Sequence, residues 1–306
     1  MTGTGEKTDI LYRFKEIVLN LLLRIRKKST FEDRYEKNLE QPKNRSLLSA
    51  TSDDIRRASD ELAAIKIALV AHVDEENIFQ HTNRVSIELS NLCNYSTFHK
   101  KCPLSFEVNT RILPAKIVTG VLDILHKYHF KGTIAFHTFN EPLIDPRLFK
   151  FIEYAKNSCP DCSIYFSTNG FYLDQNLADE LVECGLTRLH ISAYSPKDYE
   201  RLSKIKLPIP IDLEKMVLLN IIPELYQSPI LNEKTPCQAP LGEIIVTRDG
   251  QISLCCRDWQ RRYILGDLNE ETLEEILKKG NLQAIHSHLS QGNRLLNICR
   301  RCNWSR

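Results

Sequence analysis

The sequence predicts an α/β fold, a parallel sheet whose strands are joined by crossover helices, either open or curled into a barrel. Three observations point there. From residue 84 onward, short apolar strands alternate with helical segments long enough to return the chain to the same edge. Apolar residues make up 42% of the 306, enough for a sizeable core. The punctuation is also right, with Pro114 opening one helix and Gly185 closing another.

Taken in order, residues 10–28 have apolar positions at helical spacing with basic residues between them, and are expected to form a helix packed on its own domain. Residues 29–51 lack periodicity and suit a linker. Ser52, Asp53 and Asp54 form a helix start, and Ile55 to Val73 continues it. Strands are then predicted at Val85–Ser90, Thr133–His137, Ser163–Ser167 and Arg188–Ala193, with helices at Pro114–His129, Pro146–Asn157 and Asp174–Cys184. After residue 205 the alternation fades into a Pro-rich stretch. Ile244–Val246 and Gln251–Leu254 flank Arg248-Asp249-Gly250 and read as an antiparallel hairpin. A helix is expected over Glu270–Leu289, followed by a polar tail that ends in Cys299 and Cys302.

Charge and cysteine usage narrow the function. A formal net charge of +2 gives no reason to expect a nucleic-acid surface. No apolar run is long enough for a membrane span, and the start does not read as a secretory signal. A cytoplasmic protein is therefore expected, in which ten cysteines are metal ligands or free thiols rather than disulfides. Cys237, Cys255, Cys299 and Cys302 supply four thiolates from two separated pairs, which suits a structural zinc or an iron–sulfur cluster. Cys256, adjacent to Cys255, should point to the opposite face of a strand. A second set, Cys93, His99 and Cys102, lies on the loop that follows the first strand, the end of a parallel sheet where chemistry is placed. Three ligands there would leave one iron open. Cys159 and Cys162 form a Cys-x-x-Cys away from that end and read as structural. His137 reads as a satisfied core histidine, Cys184 as a small buried residue, and Arg257 with Asp258 as solvated charges.

These residues, in this order, resemble the radical S-adenosylmethionine superfamily, in particular members with a C-terminal twitch or SPASM auxiliary-cluster domain. Ile87-Glu88-Leu89-Ser90 followed by Cys93-Asn94 is similar to the first strand and the opening of the cluster loop. Thr138-Phe139-Asn140-Glu141-Pro142 is similar to the family's Gly-Gly-Glu-Pro segment, and Ser167-Thr168-Asn169-Gly170 to its Thr-Asn-Gly. Cys237, twelve residues, Gly250, four residues, Cys255 fits the auxiliary signature. The sequence departs from the family in the cluster loop. Thr97 stands where the second cysteine belongs, and the nearest fit is Cys93, five residues, His99, two residues, Cys102.

The resemblance implies a trimmed, partial parallel β/α barrel over 81–230, a hairpin-plus-helix auxiliary-cluster domain over 231–306, and an N-terminal helical extension over 1–80. It implies two [4Fe–4S] clusters, one on Cys93, His99 and Cys102 and one on Cys237, Cys255, Cys299 and Cys302. S-adenosylmethionine would be held by Thr138, Asn140, Glu141, Ser167, Asn169 and Ser192. The implied activity is hydrogen abstraction by a 5′-deoxyadenosyl radical with net oxidation of a sugar, a cyclitol or a peptide. A low-potential donor such as flavodoxin would supply the electrons. Two alternatives stand beside it: a radical epimerase with Cys256 as hydrogen donor, and a non-catalytic iron–sulfur or zinc protein that keeps only the C-terminal site.

Overall fold

The computed structural model describes residues 50–68, 78–96, 98–99, 102–107, 109–215 and 234–302. The helix expected at 10–28 and the linker after it lie outside the described residues. The helix expected from Ile55 is described as α1, Ser52–Ala68.

Among the described residues a single eight-stranded sheet organises the fold. Its strands are β1 (Arg84–Ile87), β2 (Thr133–Ala135), β3 (Ser163–Thr168), β4 (Arg188–Ala193), β5 (Ile211–Lys215), β6 (Glu243–Val246), β7 (Gln251–Ser253) and β8 (Ile264–Asp267). The spatial order is β5-β4-β3-β2-β1-β6-β7-β8. From β5 to β6 every neighbouring pair is parallel, and β6-β7-β8 are antiparallel. The connections are α2 (Ala115–Lys127), α3 (Leu148–Ser158), α4 (Gln175–Glu183) and α5 (Pro196–Leu202). This is the partial β/α barrel with a C-terminal hairpin that the sequence implies. The hairpin is also continuous with the barrel, because β6 pairs with β1, Val85 opposite Ile244.

The alternation of side chains sets the two faces of the sheet apart. Val85, Ile87, Ile134, Phe136, Ile164, Phe166, Leu189 and Ile191 point one way and are fully buried. They meet the apolar stripes of the helices, such as Val118, Leu122 and Leu125 of α2 and Leu148 and Ile152 of α3. The residues between them, Arg84, Tyr165, Ser167, His190 and Ser192, are polar and half-buried. The sheet therefore has one apolar, helix-covered face and one polar, part-open face.

Four expectations need correction. The Pro-rich stretch after residue 205 contains a fifth parallel strand, β5, whose short Ile211-Asp212-Leu213 alternation is masked by flanking prolines. The helix expected over Glu270–Leu289 is two, α7 (Leu273–Lys278) and α8 (Asn281–Ser290), because Gly280 takes a left-handed φ of 73° between them. A capping box of Thr272 and Glu275 starts the first. The polar tail is helical at Asn297–Arg301, α9, after a four-residue helix α6 (Ala239–Gly242) upstream of β6. Finally, Cys255 and Cys256 lie in a turn beyond β7 rather than on a strand.

Candidate active site

The cluster loop leaves the C-terminal end of β1 and is pinned on both sides. Asn91 donates from Nδ2 to the Asn109 carbonyl at 2.6 Å and accepts the Arg111 N–H on Oδ1 at 2.9 Å. Cys93 and Cys102 are close enough to sense each other's charge, and burial pushes their thiols up to about 12 and about 11. Several N–H groups nonetheless point at the sulfurs. Tyr95 N–H donates to Cys93 Sγ at 3.4 Å, and the Leu104 and Ser105 N–H groups, in the first turn of a 3-10 helix that Cys102 caps, favour its thiolate. Donors aimed at buried sulfurs suit thiolates whose charge a metal core balances.

His99 is buried and its ring packs edge-on against Tyr194 at 4.6 Å, with Tyr95 at 6.0 Å. Burial lowers its pKa to about 4, so the imidazole is neutral, the form that ligates metal. Tyr95, Tyr194 and Phe171 form an aromatic wall beside it that sequence reading missed. Its only signal was aromatic residues at loop positions just after two cofactor-type motifs.

The segment after β2 meets the loop directly, since Glu141 N–H donates to the Leu92 carbonyl at 2.8 Å. The Glu141 carboxylate is buried and accepts from Leu143 N–H (3.1 Å), Thr168 Oγ1 (2.6 Å) and Asn169 N–H (2.7 Å). Desolvation raises its pKa to about 7. It therefore ties the loop after β2 to the end of β3. Thr138 N–H donates to Asn140 Oδ1, whereas Asn140 Nδ2 and Asn94 Nδ2 are buried without a partner. Asn169 reaches Asn94 Oδ1 at 2.8 Å and Cys93 Sγ at 3.9 Å. Ser167 and Ser192 lie on the polar sheet face.

The C-terminal cysteines gather at the other end of the sheet. Cys237, Cys255, Cys256, Cys299 and Cys302 line one cavity of about 560 Å³, with Arg84, Thr133 and Glu243 at the starts of β1, β2 and β6. Cys255 feels the charge of Cys299, and Cys299 that of Cys237 and Cys302, so all four expected ligands converge. The expectation that Cys256 faces away is overturned, since the turn brings it into the same cavity. Arg294 binds this ring, donating to the Thr235, Cys299 and Cys302 carbonyls. The donor set and the cavity fit a cluster.

None of the ten cysteines is disulfide-bonded. Cys159 and Cys162 are hydrogen-bonded to each other and buried, at the N-terminal end of β3 as expected of structural thiols. Cys184 is half-buried. Asp258 is buried rather than solvated, because it accepts the Arg262 and Tyr263 N–H groups.

Between the two cysteine sets runs the polar sheet face, and an ion network lies beside the first set, where Glu88 is felt by Cys102. Glu88 at the end of β1 pairs with Arg248 and Arg261, Arg248 also pairs with Glu107, and Arg261 also pairs with Asp249. The partial barrel with its C-terminal cysteine region is similar to that of radical S-adenosylmethionine enzymes with an auxiliary-cluster domain.

Residues 237–303 match the SPASM iron–sulfur cluster-binding domain. The chain is 21% identical over 231 residues to the S-adenosyl-L-methionine-dependent 2-deoxy-scyllo-inosamine dehydrogenase of Niallia circulans, an alignment that covers 72% of this chain and 92% of that one. The crystal structure of BtrN in complex with AdoMet and 2-DOIA superposes with a TM-score of 0.62 at 20% identity, over 73% of this chain and 93% of that one. An open conformation of selenomethionine BtrN gives 0.57 at 18% identity, over 73% and 92%. Among the described residues no helix is long and apolar enough to cross a membrane.

Proposed function

We propose that this protein is a radical S-adenosylmethionine oxidoreductase that dehydrogenates a small hydroxylated ring of the cyclitol or sugar class. The single observation that carries the reading is the placement of two cysteine sets at opposite ends of one sheet, with a polar face between them. When bound, the two clusters and S-adenosylmethionine supply a 5′-deoxyadenosyl radical for hydrogen abstraction and an acceptor for the second electron of a net oxidation.

The chain's own residues do the rest. Cys93, Cys102 and the neutral imidazole of His99 would hold the first cluster and leave one iron free, and the aromatic wall of Tyr95, Tyr194 and Phe171 excludes water beside it. Asn140 Nδ2 and Asn94 Nδ2, buried and unpartnered, are suited to meet polar atoms of the cofactor. Thr138, Ser167, Asn169 and Ser192 extend that contact along the strand ends. Glu141 acts by positioning, since its carboxylate fixes the loop after β2 against β3. Cys237, Cys255, Cys299 and Cys302 would hold the auxiliary cluster with all iron sites filled, which favours electron acceptance over substrate ligation. A cytoplasmic setting and a low-potential electron donor such as flavodoxin complete the proposal.

Of the alternatives, the epimerase reading gains one observation, Cys256 in the auxiliary cavity. The relative's named dehydrogenase activity supports oxidation instead. The non-catalytic reading is not favoured, because the first cluster loop keeps buried thiols with N–H donors aimed at them.

The test is anaerobic reconstitution followed by reduction with dithionite. About eight iron and eight sulfide per chain, as two [4Fe–4S] clusters require, and formation of 5′-deoxyadenosine are the expected results. Both clusters loaded with no 5′-deoxyadenosine would defeat the reading.

A further inference from the structure

The polar face between the two cysteine sets contains two buried nitrogens with nothing to bond. His137, at the end of β2, was expected to be a satisfied core histidine. Its Nε2 does sit 3.3 Å from Ser167 Oγ, which in turn lies 2.9 Å from the Tyr165 hydroxyl, but its Nδ1 is buried without a partner. His190, on β4, repeats the pattern, with Nε2 3.5 Å from Glu214 Oε2 and Nδ1 buried without a partner. His190 Nε2 therefore faces a carboxylate, while Nδ1 is left to donate or to accept.

The neighbours define what can fill that space. Tyr165 packs edge-on against His137 at 4.9 Å and has the Arg84 and Arg188 guanidinium groups at its ring, 5.5 and 5.8 Å from the centroid. Both cations already have a carboxylate, Glu243 at 3.9 Å for Arg84 and Asp212 at 2.5 Å for Arg188. With the charges paired, the face offers hydrogen bonds but no surplus charge for a phosphate or carboxylate. Arg84 also lines the cavity of the auxiliary cysteines, so this face is continuous with it.

We infer that His137 and His190 read the substrate, each Nδ1 meeting a hydroxyl of an uncharged, polyhydroxylated ring. A hydroxyl both donates and accepts, so one ring with neighbouring hydroxyls satisfies both imidazoles whichever tautomer each adopts. Leaving such groups unmade is costly in a buried site, which is what gives discrimination against a ring lacking the hydroxyl. The inference rests on the proposed radical function, and names its substrate class.

The experiment measures binding of three probes to the cluster-loaded, unreduced protein by calorimetry: scyllo-inositol, myo-inositol and glucose 6-phosphate. The two cyclitols should bind and the phosphate ester should not. His190→Leu and His137→Leu should each weaken cyclitol binding about tenfold or more, the worth of a lost buried hydrogen bond. His190→Gln and His137→Gln, which restore a polar atom, should recover most of it. In turnover the Leu variants should raise KM more than they lower kcat, and should raise the ratio of 5′-deoxyadenosine to oxidised product. Iron content equal to the parent protein serves as the folding control.

Preference for the phosphate ester, binding of none of the probes, or equal loss in the Leu and Gln variants would each overturn the inference. These results are distinguishable from failure of the proposed function, which shows as absence of 5′-deoxyadenosine in the parent protein with both clusters loaded.

Discussion

The two cysteine sets differ in how far apart the chain places their members. Cys93, His99 and Cys102 come from one loop, so their mutual position is set by local backbone: a pinned entry at Asn91 and a 3-10 turn at Pro103–Phe106. Cys237, Cys255, Cys299 and Cys302 come from three places, before β6, after β7, and at α9. Only packing of those elements brings them to one cavity. The first site should therefore survive damage elsewhere, and the second should be sensitive to any element that frames it.

The largest expected effects separate the two by chemistry. Cys102→Ser should abolish 5′-deoxyadenosine formation while leaving about four iron per chain on the auxiliary site. Cys299→Ser should also lower iron to about four, yet retain 5′-deoxyadenosine and lose the oxidised product. Iron analysis and chromatography of the nucleoside check both. Identical phenotypes would dissolve the comparison.

Next in size is Glu88→Gln. Glu88 is fully buried and is the carboxylate that Arg248 and Arg261 share, so neutralising it leaves them only Glu107 and Asp249 at the edge of the network. Breaking a buried pair costs about 3–5 kcal/mol. Because the network touches both the end of β1 and the hairpin turn, chemical denaturation should show that loss, and both clusters should load poorly.

A smaller change sharpens the contrast. Gly292 has a φ of 83°, and a Cβ there would stand 2.2 Å from the Lys234 carbonyl oxygen. Its N–H shares the Leu289 carbonyl with Cys237 N–H. Gly292→Ala should cost at least about 1–2 kcal/mol from the left-handed backbone. The loss should fall on the auxiliary cluster, seen as reduced iron with 5′-deoxyadenosine formation retained.

The smallest effect is expected far from both sites. Lys127, Lys278 and Tyr128 hold Glu274 well down, to about 2. A depressed carboxylate stabilises the fold above its ordinary pKa of 4.5 and loses that contribution as pH falls toward 2. Glu274→Gln should therefore shift the thermal midpoint slightly at pH 7, by less as the pH is lowered, and leave both clusters intact. Exposed pairs are worth little, so a large shift would be unexpected.

Local signals were legible where one segment carries them. The alternation of β3 and β4, the caps at Pro114 and Gly185, and the spacing from Cys237 through Gly250 to Cys255 can be read without a fold, because backbone preference and side-chain period act within a few residues. β5 was hidden, since its pairing with β4 outweighs a weak local pattern flanked by prolines. The break at Gly280 was hidden too, because a glycine inside a periodic stretch is tolerated about as often as it ends one.

What the amino-acid order settled by itself is the chemistry available: thiols and an imidazole in two sets, alternating strands and helices, and a hairpin between cysteines. What the tertiary structure alone decided is which groups share a space. It turned Cys256 into the auxiliary cavity, committed the Glu141 carboxylate to β3, and aligned His137 with His190 on one face. The physical reason is that a partner's identity depends on distances between segments dozens of residues apart, and only the packed sheet fixes those distances.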